Sequence, residues 1–176
     1  DPFYRTTKKA NAVKSKQLTL FVDIAAKGRQ RAESLMWRGV AAITIAKLLE
    51  SAGYRCEIWV YDSATDAFQS GKGNCLITNV KKMKDSLNIG LLAATVSLWF
   101  FRTVGFHAYN LYKKELPASG LGYHNEDVDD LLDIVEPSRD NRLNISGVWD
   151  KDAAIKLIKS VIGRMNDEAE SKLARA

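Results

Sequence analysis

Residues 17–24, QLTLFVDI, form a nearly continuous apolar and β-branched run. A strand wet on one face alternates apolar with polar residues, so a run of this kind reads as a strand covered on both faces, as central parallel strands are. It closes on one carboxylate, Asp23, followed by small side chains, and Gly28 then opens a long helical pattern. Leu35, Gly39, Ala42, Ala46 and Leu49 recur at three and four, Met36, Val40 and Ile43 widen the stripe, and Gly53 supplies the stop. The small residues Gly39, Ala41, Ala42 and Ala46 let such a helix approach a sheet closely. A buried strand followed by a buried helix directs the chain toward α/β architectures.

Further along, RCEIWVY (55–61) and NCLITNVKKM (74–83) read as a pair of strands, the second near an edge because Lys81, Lys82 and Lys84 guard its end. Ser86 is placed to cap a helix over 86–97, and the helical pattern resumes through LWFFRTVGFHAYNLYKK with a possible break at Gly105. Asn125 precedes a short helix carrying Val128, Leu131, Leu132 and Val135 on one face, ended by Pro137. RLNIS (142–146) is a late strand, and Asp150 caps a last helix with Ile155, Ile158, Ile162 and Met165 on one stripe. The order predicts a three-layer α/β sandwich around a mostly parallel sheet, with strands near 17–24, 55–61, 75–83 and 142–146 and helices near 29–52 and 150–166. Residues 1–16 read as a basic arm, 17–166 as one domain, and 167–176 as a polar, fraying tail.

At 176 residues the chain can bury a full core without staples. Cys56 and Cys75 are too few for a disulfide framework and sit in strand-like surroundings, which points to a reducing, cytoplasmic compartment. The longest apolar run, 89–101, is shorter than the ~20 residues a membrane-spanning helix needs. No membrane role is expected. A start on Asp1-Pro2 suggests a processed product or part of something longer.

Charge is unevenly placed. Residues 1–55 hold eleven Lys/Arg against four Asp/Glu, and residues 115–140 hold one against eight. A dipolar surface of this kind can meet nucleic acid through its basic end or pair basic end to acidic end with another copy of itself.

A first strand ending in FVDIAAKG, a long small-residue helix, then AGYRCEIWVYDS resembles the start of a von Willebrand factor A-like domain, a Rossmann-like fold. The segments MWRGVAAITIAKLLESAGYRCEIWVY and LWFFRTVGFHAYN look like small proteins of tailed bacterial viruses carrying that fold in degenerate form, which implies the host cytoplasm. The A-domain family binds a divalent cation through Asp-x-Ser-x-Ser after strand one. Asp23 matches the Asp, but Ala25 and Lys27 stand where the serines belong, and neither ligates a hard cation. The resemblance therefore implies a site without metal, in which Lys27 neutralises Asp23 internally.

Asp23 and Asp62 end what should be adjacent strands, so with Lys27 and Ser63 they make a candidate functional rim; converging carboxylates would suit a metal-dependent hydrolase. Helix caps and loop hydrogen bonds use the same residues at the same places. His107 and His124 lack metal-ligand spacing. Cys56 and Cys75 read as packed thiols on neighbouring strands whose side chains could meet. QSGKGN is a loop without the phosphate-cradle pattern, GRQRAESL lacks the required glycines, and NEDVDDLLD lacks calcium-loop spacing. No cofactor is implied.

Two function classes follow, with a hydrolase third. The first is a non-enzymatic interaction or assembly module binding protein, including further copies of itself. The second is nucleic-acid binding through Lys8, Lys9, Lys14, Lys16, Arg29, Arg31, Lys81, Lys82 and Lys84. The chain carries no recognisable reading motif or stacking array of aromatics, which favours the module.

Overall fold

A computed structural model describes residues 16–26, 30–65, 73–111 and 128–173. Four strands form one open sheet: β1 (Gln17–Asp23), β2 (Arg55–Thr65), β3 (Gly73–Lys81) and β4 (Arg142–Ile145), in the order β3-β2-β1-β4. β1 lies between β2 and β4 and is parallel to both, whereas β3 returns antiparallel along β2. The sheet is therefore mostly parallel, as the sequence predicts, and its central strand is the one with the unbroken apolar run.

Parallel register puts Leu20 beside Ile58 and Leu143, and Val22 beside Val60 and Ile145. These side chains form the larger core with α1 (Ala32–Ser51), α2 (Ile89–Thr95) and α6 (Lys151–Leu173). The other face of β1 presents Phe21 next to Trp59 and Asn144, and there a smaller cluster forms with Tyr61 and with Val128 and Leu132 of α5 (Val128–Leu132). Both faces of β1 are covered, which is why its sequence does not alternate.

α1 buries Leu35, Arg38, Ala42, Ile45 and Leu49 on one stripe. Its C-terminus closes as a Schellman motif: Gly53, at φ +85°, donates to the Glu50 carbonyl, and Tyr54 donates to that of Leu49. Gly39 is required by packing, since a Cβ there would fall 2.4 Å from Cγ2 of Val96. α1 is thereby locked against the end of α2.

Several boundaries differ from expectation, β2 for one running to Thr65 instead of ending near 61. Asn88, not Ser86, caps α2, accepting from the Leu91 N–H at 2.9 Å. The helix that follows starts at Leu98 (α3, Leu98–Phe100), widens into a π-helical turn over Phe101–Gly105 and continues as α4 (Phe106–Leu111), so Gly105 loosens the helix without ending it. α6 runs on to Leu173 instead of stopping near 166, because DEAESKL contains helix formers and no Gly or Pro to end it. Asp150 caps α6 as expected, accepting from the Ala153 N–H at 2.8 Å. Among the described residues no single helix is long and apolar enough to cross a membrane; α2 and the helix over Leu98–Ala108 meet at a 52° bend.

Candidate functional site

The parallel strands β1 and β2 carry Asp23 and Asp62 to the same rim, the carboxyl end of the sheet, in neighbouring strands. Both are buried. Oδ1 of Asp23 accepts the Ala25 N–H at 2.8 Å, turning the chain out of the strand. Its Oδ2 lies 3.2 Å from Nη1 of Arg38, which reaches in from α1 and also donates to the carbonyls of Asp23 and Ala25.

Arg38 is the group that sequence reasoning missed. Only 1% of it is exposed, and its guanidinium stacks 4.1 Å from the ring centroid of Trp149, in the turn between β4 and α6. Burial pulls its pKa below the ordinary arginine value, and the Asp23 charge works in the opposite direction. The expectation gave the role of internal counter-ion to Lys27, which lies outside the described residues; the described partner of Asp23 is Arg38. A signal was present, because Arg38 sits at the third position after Leu35 and the fourth before Ala42, on the stripe otherwise filled by apolar and small residues.

Asp62 sits under the π-helical turn, its Oδ2 3.6 Å from where a Cβ on Gly105 would stand. Burial pushes its carboxyl up to about 8, and the Asp23 charge adds to the shift. At neutral pH Asp62 is therefore largely protonated. One neutral carboxyl and one carboxylate held by arginine do not make the pair of ionised ligands that two-metal hydrolysis uses. Among the described residues, no group of three or more His, Cys, Asp or Glu side chains is placed to hold a metal.

Ser63 is fully buried and faces Cys75 across the β2–β3 pair. The two cysteines are on neighbouring strands but do not meet: Cys56 lies seven residues before Ser63, near the opposite end of β2, because the hairpin runs antiparallel. Both thiols are free, and burial pushes Cys56 up to about 11 and Cys75 up to about 12. They are inert packing groups.

Among the described residues, the basic candidates are not all on the surface. Lys81 is 4% exposed; its ammonium donates to the Cys56 carbonyl at 2.6 Å and lies 2.8 Å from Oε1 of Glu50. It is a structural cation and not a free phosphate contact, a correction to the expected Lys81/Lys82/Lys84 cluster. The inward turn of Lys81 follows from strand alternation at the end of β3, which leaves Lys82 and Lys84 outside. Lys16 lies 5.4 Å from the Tyr54 ring centroid. Arg31 is exposed at the start of α1, beside Trp37, Trp149 and Lys151 in an open cleft. Lys8, Lys9, Lys14, Arg29 and His124 lie outside the described residues; His107 is exposed on α4.

The largest exposed apolar side chains concentrate elsewhere. Ile89, Leu91, Trp99, Val104 and Leu111 all project from the segment running from α2 through α4, with Trp99 67% exposed. The opposite side of this segment is also apolar, Leu92, Val96 and Phe101 being buried in the larger core. A surface helix normally turns charge outward, whereas this segment is apolar on both sides.

No curated protein and no solved structure matches the chain. A family model does, over residues 1–166, and on that match the chain belongs to the family described as Domain of unknown function (DUF7192).

Proposed function

We propose that this protein is a non-enzymatic α/β interaction and assembly module that meets protein through the outer face of the α2–α4 segment. The observation that carries the reading is the exposure of Leu91, Trp99, Val104 and Leu111 on helices whose inner side is already committed to the core. The rim supports it from the other direction: Arg38 occupies the Asp23 carboxylate, and Asp62 is neutral near pH 7, so neither is free for a cation. In this reading the fold is a von Willebrand factor A-like domain whose metal position has been replaced by an internal arginine. The resemblance to proteins of tailed bacterial viruses supports a role in assembly within the host cytoplasm.

Nucleic-acid binding is the competing reading, and the burial of Lys81 weakens its described surface. Light scattering over a concentration series, beside a gel-shift titration near physiological salt, separates the two. A mass above the 19.6 kDa monomer is expected, falling to the monomer in Trp99→Asp, with weak and sequence-blind retention of nucleic acid. A strict monomer that binds a defined nucleic acid tightly, and loses it when Lys82 and Lys84 become Glu, would reverse the assignment.

A further inference from the structure

Arg38 spends only one corner of its guanidinium on the rim. Nη1 donates to the Asp23 and Ala25 carbonyls and lies beside Oδ2 of Asp23, whereas Nε and Nη2 are buried and have no hydrogen-bond partner among the described residues. Those two nitrogens make the side-on fork of an arginine, two parallel N–H donors in one plane, which is the edge that receives a carboxylate bidentately. A buried donor without an acceptor carries its full desolvation penalty, so a fork of this kind calls for one.

The surroundings say from where it comes. A helical side chain lies over the turn before its own residue, so Arg38 extends toward Ser34 and the start of α1. Ser34, Trp37 and Trp149 line an open cleft of ≈ 430 Å³ at that end, and Trp149 is also the ring stacked on the guanidinium. Trp149 is therefore both a wall of the cleft and the cover of Arg38. The place in the sheet points the same way. From β1 the chain crosses through α1 to β2 on one side, and β4 lies on the other, so the strand order reverses between β1 and β4. Arg38 stands at the carboxyl end of that crevice, bonded to residues leaving β1 and stacked on the turn leaving β4. Ligands of open α/β sheets bind at such a reversal.

We infer that Arg38 is a binding site for a carboxylate group, which enters from the cleft as Trp149 moves aside and lies in the plane of the Nε–Nη2 fork. The site goes beyond the assembly reading and is independent of it. Charge around the cleft does not select the ligand, because Arg31 and Lys151 are matched by Glu33, Asp150 and Asp152, with Asp150 committed to the Ala153 N–H. The fork selects it. A planar carboxylate fits beside an indole stacked on the same guanidinium and brings one negative charge next to Asp23. A phosphate projects oxygens out of that plane toward the ring and brings about two. Arg142 shows that one guanidinium of this fold holds two carboxylates, those of Asp129 and Asp133.

The test titrates the full chain with sodium acetate, against sodium chloride at matched ionic strength, and follows the Arg38 Nε–H and Trp149 indole N–H signals by nuclear magnetic resonance. Both signals are expected to move together and saturate in acetate, and to stay in place in chloride. Inorganic phosphate should bind about tenfold more weakly. Arg38→Lys keeps a positive charge beside Asp23 and removes the fork, so the saturable shift at Trp149 should disappear, with urea unfolding establishing that the variant folds. If it does not fold, the Arg38 signal of the unsubstituted protein decides alone. Phosphate binding more tightly than acetate overturns the carboxylate assignment. A shift at Trp149 without one at Arg38 puts the ligand in the outer cleft and overturns the site. So does a shift that grows without saturating, or a folded Arg38→Lys that binds acetate unchanged. An Arg38 Nε–H that neither moves nor exchanges with water in any of these salts means that the chain itself supplies the acceptor, and the inference fails.

Discussion

The carboxyl end of the sheet and the outer face of the α2–α4 segment solve opposite problems. At the first, charge is taken out of water and matched inside: Asp23 is held by Arg38, and Arg38 is covered by Trp149. At the second, apolar side chains are left in water, with Trp99 and Leu111 each about two-thirds exposed. Burying ions costs several kcal/mol each unless they pair, and exposing a large apolar side chain forgoes roughly 1.5–3 kcal/mol of burial. Among the described residues, the rim pairs its buried charge internally, and the α2–α4 helices leave apolar side chains outside.

The largest effect that could break this comparison lies at Arg38. Arg38→Met removes the guanidinium while leaving the Asp23 carboxylate buried, and the expected loss is about 3–5 kcal/mol of stability in urea unfolding. Asp23→Asn added to it should recover most of the loss, since replacing both members of a buried pair is often close to neutral. If the two single changes and the double prove additive, Arg38 is not the counter-ion and the rim is open after all.

Asp62 sharpens the same point through pH. Its folded carboxyl is raised to about 8 from an ordinary 3.8, so the folded state keeps a proton that the unfolded chain releases once the pH passes its own value. The contribution is therefore fully present in acid and is lost progressively as pH rises from about 4 to about 8, at up to roughly 1.4 kcal/mol per pH unit. Asp62→Asn keeps the shape of the protonated acid and removes the titration. It should be more stable than the unsubstituted protein at pH 8 by a few kcal/mol. Their unfolding midpoints should converge as the pH falls to 4. Parallel pH slopes for the two proteins would show Asp62 ionised at neutral pH and so available to a cation.

What the sequence reveals differs between these regions for a physical reason. Four strands and the long first helix were legible because burial imposes a period: β1 has no polar alternation, and α1 repeats at three and four. The antiparallel return of β3 and the flanking position of β4 were not, because they depend on which edges meet after the intervening chain has been placed. At the rim, Asp23 and Asp62 were legible as strand ends. Their protonation was not, since it depends on Arg38 arriving from fifteen residues downstream and on the lid formed by the turn at Gly105. Lys81 shows the same limit. Three lysines within four residues read as one solvated cluster, yet the first turns inward to Glu50 and the Cys56 carbonyl. The exposed apolar face was the least visible feature, because an apolar helix reads as core from its composition whichever side it presents.

That last ambiguity gives the smallest predicted effect and the sharpest one for the comparison. If Trp99 projects into solvent as the structure places it, replacing the indole with a small polar group removes little contact with the fold. Trp99→Ser should then change the free energy of unfolding by no more than about 0.5 kcal/mol, as surface substitutions away from packed features do. A buried tryptophan behaves differently, losing about 3–5 kcal/mol when truncated. The stability must be measured at a concentration where the unsubstituted chain is monomeric, because association with like copies would add apparent stability by mass action. Measured that way, a loss beyond 2 kcal/mol would make Trp99 a core residue and remove the open face. A near-zero change in the monomer, together with a concentration-dependent melting temperature in the unsubstituted protein that Trp99→Ser abolishes, would place the role of Trp99 between molecules and not within one.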